Sequence, residues 1–311
     1  MTFSFRLFIT VILIFAASCE TNHLLKEVKR LDYPSASGIE NFDGRLYLVG
    51  DDANYILVLD SGFNKVDSIP LFNYREKRIP KPVKPDLEGT TTIYGGKESL
   101  LLSIGSGSLP PWRNSAYFFH YKSRKTDSIR LDSFYSELQS LGVKEINIEG
   151  ICSIQPTLVL ANRGNLSYRS NQLIFTNLSV LYGRTQGPIN IVKLGGNNDT
   201  SEFRGVSGLS YSKRSDRLLL TVSTEATASA TEDGAIGKSY LWMIRNFSSK
   251  RNWKAINPDL IIDLEEVDAR FKGQKIESVC ILKETKDFLH LALAADNDDG
   301  SSTLFRLVVE K

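Results

Sequence analysis

From residue 24 onward the chain alternates short apolar runs with clusters of Gly, Asn, Asp and Ser, a pattern that predicts strands almost throughout. Only Ser133 to Leu141 has helical spacing. One unit recurs along the strands. A Glu or Ser, usually followed by Gly, opens an apolar strand; a turn and a second apolar strand follow, ending in a polar cluster. The copies open at Ser37-Gly38, Glu88-Gly89, Glu149-Gly150, Ser207-Gly208 and Glu277-Ser278. Their second strands lead into Gly50-Asp51-Asp52, Gly105-Ser106-Gly107, Asn162-Arg163-Gly164, Ser223-Thr224-Glu225 and Asp296-Asn297-Asp298. Further strand-like runs complete each unit.

Four strands in units of roughly 50 to 70 residues mark propeller blades. The expected fold is therefore all-β, a propeller of five four-stranded blades. Six is the alternative, because the long stretch from Ser207 to Lys275 has room for another. The fifth unit is one strand short, and Leu24 to Leu31 supplies a spare. Pairing the two closes the ring and leaves no open sheet edge.

Ahead of the repeats, Arg6 precedes an apolar run from Leu7 to Phe15 and then Ala16-Ala17-Ser18-Cys19. That order describes an export signal, and the run is too short to span a bilayer as a mature helix. A cysteine after Ala-Ala-Ser is similar to the bacterial lipobox, with Ala16 where Leu is commoner. The expected plan is a lipoprotein-type signal at 1–18, a tether at 19–23 and one propeller at 24–311. Cys19 is then the lipidated N-terminus of an exported envelope protein, periplasmic or on the outer surface; ordinary cleavage nearby is the alternative.

Composition is that of a globular protein, 24% charged and 41% hydrophobic. Thirty-eight basic residues against 36 acidic ones give no electrostatic reason to expect nucleic acid as a partner. Cys152 and Cys280 lie in apolar runs on non-adjacent units and read as buried thiols.

Strands one and two of a blade are antiparallel, so every opening residue and every polar cluster gathers at one mouth of the channel. The ring comprises Ser37, Glu88, Glu149, Ser207 and Glu277, with Asp51, Asp52, Ser106, Asn162, Arg163, Glu225, Asp296, Asn297 and Asp298 just outside it. Crowded carboxylates need compensation from a hard cation, from arginines or from backbone amides. Calcium suits an all-oxygen set, and Glu88, Glu149, Glu277 and Asp296 are the candidate metal ligands. Zinc is disfavoured because His23, His120 and His290 are scattered. Arg113 and Arg163 are candidates to hold an anionic group, with Ser106, Asp51, Asp52 and Glu225 as further ligand contacts. Glu149 and Glu88 are the candidate catalytic carboxylates. Ser106 lacks both a nucleophile-elbow setting and a placed histidine. Each opening Glu has a structural alternative, locking neighbouring blades through their amides.

The strings Asp86-Leu87-Glu88-Gly89, Asn147-Ile148-Glu149-Gly150, Lys275-Ile276-Glu277-Ser278 and Ala295-Asp296-Asn297-Asp298 resemble the phytase-like propeller domain, named for an esterase-like activity of phytase. Ser37-Gly38-Ile39-Glu40, Val49-Gly50-Asp51-Asp52 and Ile261-Ile262-Asp263-Leu264 fit the same pattern. More narrowly the chain looks like the Bacteroidota-type lipoproteins of that group. The resemblance implies a secreted propeller with a polar, calcium-dependent mouth. Ser37 and Ser207 stand where that pattern has Glu, which thins the metal ring. The function expected is a membrane-anchored propeller that binds a small polar or anionic ligand at this mouth. Its enzymatic form is a calcium-dependent esterase, phosphoesterase or lactonase; the alternative is a non-catalytic module docking an envelope protein or glycan.

Overall fold

The computed structural model describes residues 23–183, 187–195, 202–225, 229, 234 and 236–311, the side chain of Glu225 apart. Cys19 and most of residues 226–235 lie outside the described residues. Five sheets of antiparallel strands form five blades. Blade 1 comprises Ala36–Phe42, Arg45–Gly50, Tyr55–Leu59 and Lys65–Pro70. Blade 2 comprises Leu87–Ile93, Leu100–Gly105, Ser115–His120 and Thr126–Arg130. Blade 3 comprises Ile148–Ile154, Thr157–Asn162, Asn171–Asn177 and Asn190–Leu194, with the short Ala255–Ile256 added in parallel to its outer edge. Blade 4 comprises Arg204–Ser212, Arg217–Glu225, Ile236–Arg245 and Leu260–Asp263.

Blade 5 is built from both ends of the fold. Lys275–Glu284, Phe288–Asp296 and Ser302–Glu310 supply three strands, and Leu24–Leu31 pairs antiparallel with the last of them, from Leu24 against Val308 to Leu31 against Ser302. The ring therefore closes non-covalently, as the missing strand required. The long fourth unit holds one blade plus the Ala255–Ile256 addition, so the blade number is five. Residues 24–310 contain every strand of five complete sheets.

Apolar side chains fill the gaps between blades, one cluster per gap, and the five clusters together make the core. The predicted helix, Asp132–Ser140, buries Phe134, Tyr135 and Leu138 between blades 2 and 3. Tyr135 donates its hydroxyl to the Gly105 carbonyl at 2.5 Å, tying that helix to the mouth. Cys152 and Cys280 are free and buried in different gaps.

The recurring Gly has a steric cause. The innermost strands approach so closely that a Cβ on Gly89 would lie 2.8 Å from the Ile151 amide nitrogen, and one on Gly150 would lie 2.9 Å from that of Leu209. At Gly208 a Cβ would lie 2.5 Å from the Glu277 carbonyl oxygen. Backbone cannot yield there as a flexible side chain would. Gly208→Ala is expected to cost about 1–3 kcal/mol of stability, read as a lower urea midpoint; an unchanged midpoint would show that the axis has slack.

Candidate functional site

Each innermost strand is irregular at the same place, and that of blade 5 has a second irregularity between Ile281 and Lys283. Pairing with the second strand skips a residue between Ala36 and Gly38, Leu87 and Gly89, Ile148 and Gly150, Val206 and Gly208, and Ile276 and Ser278. The skipped residues are Ser37, Glu88, Glu149, Ser207 and Glu277. A β-bulge frees its extra residue from the ladder and re-aims the side chain. Five bulges thus set the predicted ring at one end of the channel. The two serines turn to backbone, Ser37 donating to Ser35 O at 2.9 Å and Ser207 to Ile276 O at 2.7 Å.

The three glutamates converge. Glu88, Glu149 and Glu277 each offer an oxygen within 4.8 Å of the others, and Asp51, Asp86 and Glu88 form a second such group. Oxygens held at 2.3–2.6 Å by one calcium ion lie at most about 5 Å apart, so either set has the right spread. Glu277 is 3% exposed. Its Oε1 pairs with Lys275 Nζ at 3.0 Å, while Oε2 is buried with no hydrogen-bond partner. Asp51 Oδ1 is likewise buried and unpartnered.

Basic groups supply much of the compensation. Lys84 Nζ bridges Asp51 and Asp86, the latter at 2.7 Å. Arg113, itself buried, reaches Asp86 at 2.8 Å and Ser108 at 2.7 Å. Asn147 donates to Glu149 Oε1 at 2.7 Å, and Arg163 lies 3.9 Å from Glu149 Oε2 while donating to Ser223 at 3.2 Å. Gly205 makes room for that guanidinium, since a Cβ there would meet Arg163 Nε at 2.4 Å. Glu88 makes no hydrogen bond or ion pair among the described residues. Of the five carboxylates it is the one that none of the four bases contacts, although Lys84 acts on it through space.

Its titration follows. Burial, with the charges of Glu149, Asp86, Asp51 and Glu277, pushes Glu88 well above the usual carboxylate range. Burial carries Asp51 up to about 7 against the pull of Lys84, whereas Lys84 and Arg113 overcome burial at Asp86 and hold it below its ordinary value. A crowded acid of this kind takes up either a proton or a cation.

Other predicted residues lie around this centre. Ser106 is fully buried and donates to Asp86, so its hydroxyl is a structural donor. Asp52 pairs with Arg78 at 2.6 Å on the rim between blades 1 and 5, outside both converging sets. Asp296 follows the second strand of blade 5; burial, then the charges of Asp298 and Glu277, raise it to about 6. The register places Ser223 opposite Gly205, at the position that Asp51, Ser106, Arg163 and Asp296 fill in the other blades. Glu225 lies two residues beyond, and its side chain is outside the described residues. Sequence reasoning missed Lys84, Asp86, Asn147 and Lys275. The last three stand two residues before a bulge, a position the repeat itself marks. Beside Arg163 a cavity of about 270 Å³ opens, lined by Lys144, Glu145, Tyr168, Arg169 and Gln172 among others.

Fold and mouth define a five-bladed β-propeller with an acidic, base-buttressed channel entrance. Within that class, the chain belongs to a family of unknown function, DUF6929, whose model matches residues 32–309. Among curated proteins none is significantly similar in sequence. Of solved structures, the glutaminyl cyclase of Myxococcus xanthus is similar over 93% of this chain and 97% of its own, with TM-score 0.51 and 10% identity. Virginiamycin B lyase from Staphylococcus aureus matches 92% of this chain and 99% of its own, with TM-score 0.42 and 11% identity. A DUF4221 member from Bacteroides vulgatus covers 89% and 79%, with TM-score 0.38 and 10% identity. Likeness at such identities shows the propeller fold alone.

Proposed function

We propose that the mouth holds one hard divalent cation, calcium, between Glu88, Glu149 and Glu277, and through it binds a small polar or anionic ligand. The observation that carries this is the unpartnered Glu277 Oε2, buried within a triad of converging carboxylates. Blade locking explains these glutamates less well. Among the described residues, neither Glu88 nor Glu277 accepts an amide from a neighbouring blade. The cavity beside Arg163 offers the ligand Lys144, Tyr168 and Gln172, with Arg163 standing between it and Glu149. Export with a lipid on Cys19, as the N-terminal sequence suggests, completes the reading as a membrane-anchored envelope protein.

Bound calcium would polarise a carbonyl or phosphoryl oxygen and acidify a water, which is the chemistry of an esterase, phosphoesterase or lactonase. That, with the phytase-like strings, is the case for an enzyme. Glu149, held by Asn147 and lying near Arg163, would then orient the attacking water beside the cation. The second reading, a non-catalytic envelope module, draws on a different observation. Arg113 and Arg163 are buried against Asp86 and Glu149, and Ser106 is committed to Asp86.

The metal is tested by melting the soluble chain 20–311 in EDTA and in 10 mM calcium. A sub-millimolar site adds about 1.5–2.7 kcal/mol, a rise of about 3–10 °C. No shift removes the cation from the account. Catalysis is tested with Glu149→Gln on ester, phosphoester and lactone panels. Turnover by the wild type, abolished in the variant, is the enzymatic outcome; no turnover, with glycan or protein capture intact in both, is the module.

A further inference from the structure

The near-zero net charge conceals a polarity between the two ends of the channel. First strands run away from the mouth and second strands return to it, so the turns between them lie at the opposite end, as do the links between third and fourth strands. Blade 2 puts Lys122, Arg124 and Lys125 there, all exposed. Blade 4 adds Lys213 and Arg214 in its first hairpin and Arg251 in the link after Ile236–Arg245, beside Asn190 at the far end of blade 3's outer strand, again exposed. Lys122, Lys125, Lys213 and Arg251 make no side-chain ion pair among the described residues.

Acids at that end are used differently. Asp60 accepts the amides of Gly62 and Asn64, at 2.9 and 2.8 Å. Asp216 accepts from Tyr211 and Ser248. Glu98 accepts the amides of Lys122 and Ser123, and Glu284 pairs with Lys311 at 2.9 Å. The charge of these four is drawn into turns while the lysines project; Asp43 and Asp287, in the first hairpins of blades 1 and 5, stay exposed. Apolar side chains stand out among these bases: Trp253 is 51% exposed with Lys250 5.3 Å over its ring, Tyr94 is 60% exposed and Leu24 49%.

The chain itself points to what covers this end. Leu24 pairs with Val308 and Leu31 with Ser302, beside Asp296 at the mouth. The polypeptide therefore enters the fold at the basic end. Only four residues lie between Cys19 and Leu24, five peptide steps with a reach of at most roughly 17 Å.

We propose that the end of the propeller opposite the mouth is a membrane-facing surface, which lies on anionic phospholipid with Trp253, Tyr94 and Leu24 at headgroup level and the acidic mouth directed away. Lysines and interfacial aromatics are the pairing that such a surface selects. The orientation rests on the acylated Cys19 proposed above; the lipid contact does not.

The test is co-sedimentation of the soluble chain 20–311, which holds all five blades and no acyl group, with phosphatidylglycerol and with phosphatidylcholine vesicles. Binding to the first at low salt and not to the second is expected. Each basic residue near an anionic surface is worth roughly five-fold in partitioning. Changing Lys122, Lys125, Lys213 and Arg251 together to Glu should lower it more than 100-fold, by the same rule. Glu88→Gln should leave it unchanged. If the fourfold variant melts early, the pair Lys122→Gln and Lys125→Gln carries the same test with a loss of about 25-fold. Absence of binding, equal binding to phosphatidylcholine, or tighter binding to heparin than to the vesicles overturns the proposal. The mass of the N-terminal peptide of the full chain made in bacteria tests Cys19 separately, so an unmodified cysteine would remove the anchor and leave the vesicle result standing.

Discussion

Lys84→Met is expected to destabilise the protein by about 3–5 kcal/mol, the range for removing one partner of a buried ion pair. The Lys84 side chain is 13% exposed, and its ammonium bridges Asp51 and Asp86. Arg113 still faces Asp86 after the change, but Asp51 is left beside Asp86, Asp52 and an already crowded Glu88. Urea unfolding reads the loss as a lower midpoint at constant slope. Adding Asp51→Asn to the variant should restore much of it, because the charge that Lys84 balanced is gone. Loss of less than about 1 kcal/mol, the usual worth of a surface pair, would mean that water reaches this cluster freely.

The second large effect is one of pH. Glu40 lies three residues beyond the bulge of blade 1, next to Thr92 and Asn41. Burial pushes it up to about 8, against the donors that pull it down. The fold therefore holds a proton on Glu40 that the unfolded chain, titrating near 4.5, has released. That contribution to stability is whole below pH 4.5 and is lost as pH rises through 8. Glu40→Gln cannot lose it. The variant should match the wild type near pH 4 and exceed it by on the order of 3 kcal/mol at pH 9. Urea midpoints at the two pH values measure the difference. Parallel behaviour would show that Glu40 ionises without cost in the folded chain.

The sequence carries the architecture because a propeller repeats its solution. Close approach at the axis demands the recurring Gly, the bulged position turned into the mouth takes a polar residue, and an unpaired edge demands the strand from Leu24. Ring members Glu88, Glu149 and Glu277 were legible for the same reason. What the repeat does not encode is register beyond the bulge: Ser223 rather than Glu225 stands opposite Gly205, and no composition signal separates them. Nor does it encode how charge is balanced across blades. Lys84 lies in the link between blades 1 and 2, outside any repeated position, yet it is the group that binds Asp51 to Asp86. Arg113 and Arg163 were readable as basic residues at the mouth. Their engagement with Asp86 and Glu149 needed coordinates. The separation of charge between the two ends was hidden for a similar reason, since net charge sums over faces.

A cation at the glutamate triad is within direct reach of calorimetric titration of calcium into the soluble chain 20–311. The account predicts one binding event with a dissociation constant in the 10⁻⁴–10⁻³ M range of extracellular modules, about what an oxygen site already flanked by Lys84 and Lys275 would give. That event should vanish in both Glu277→Gln and Glu88→Gln, while Glu88→Gln melts no lower than the wild type in EDTA. Binding undiminished in both variants would move the metal elsewhere, and no binding up to 10 mM calcium would contradict the claim outright.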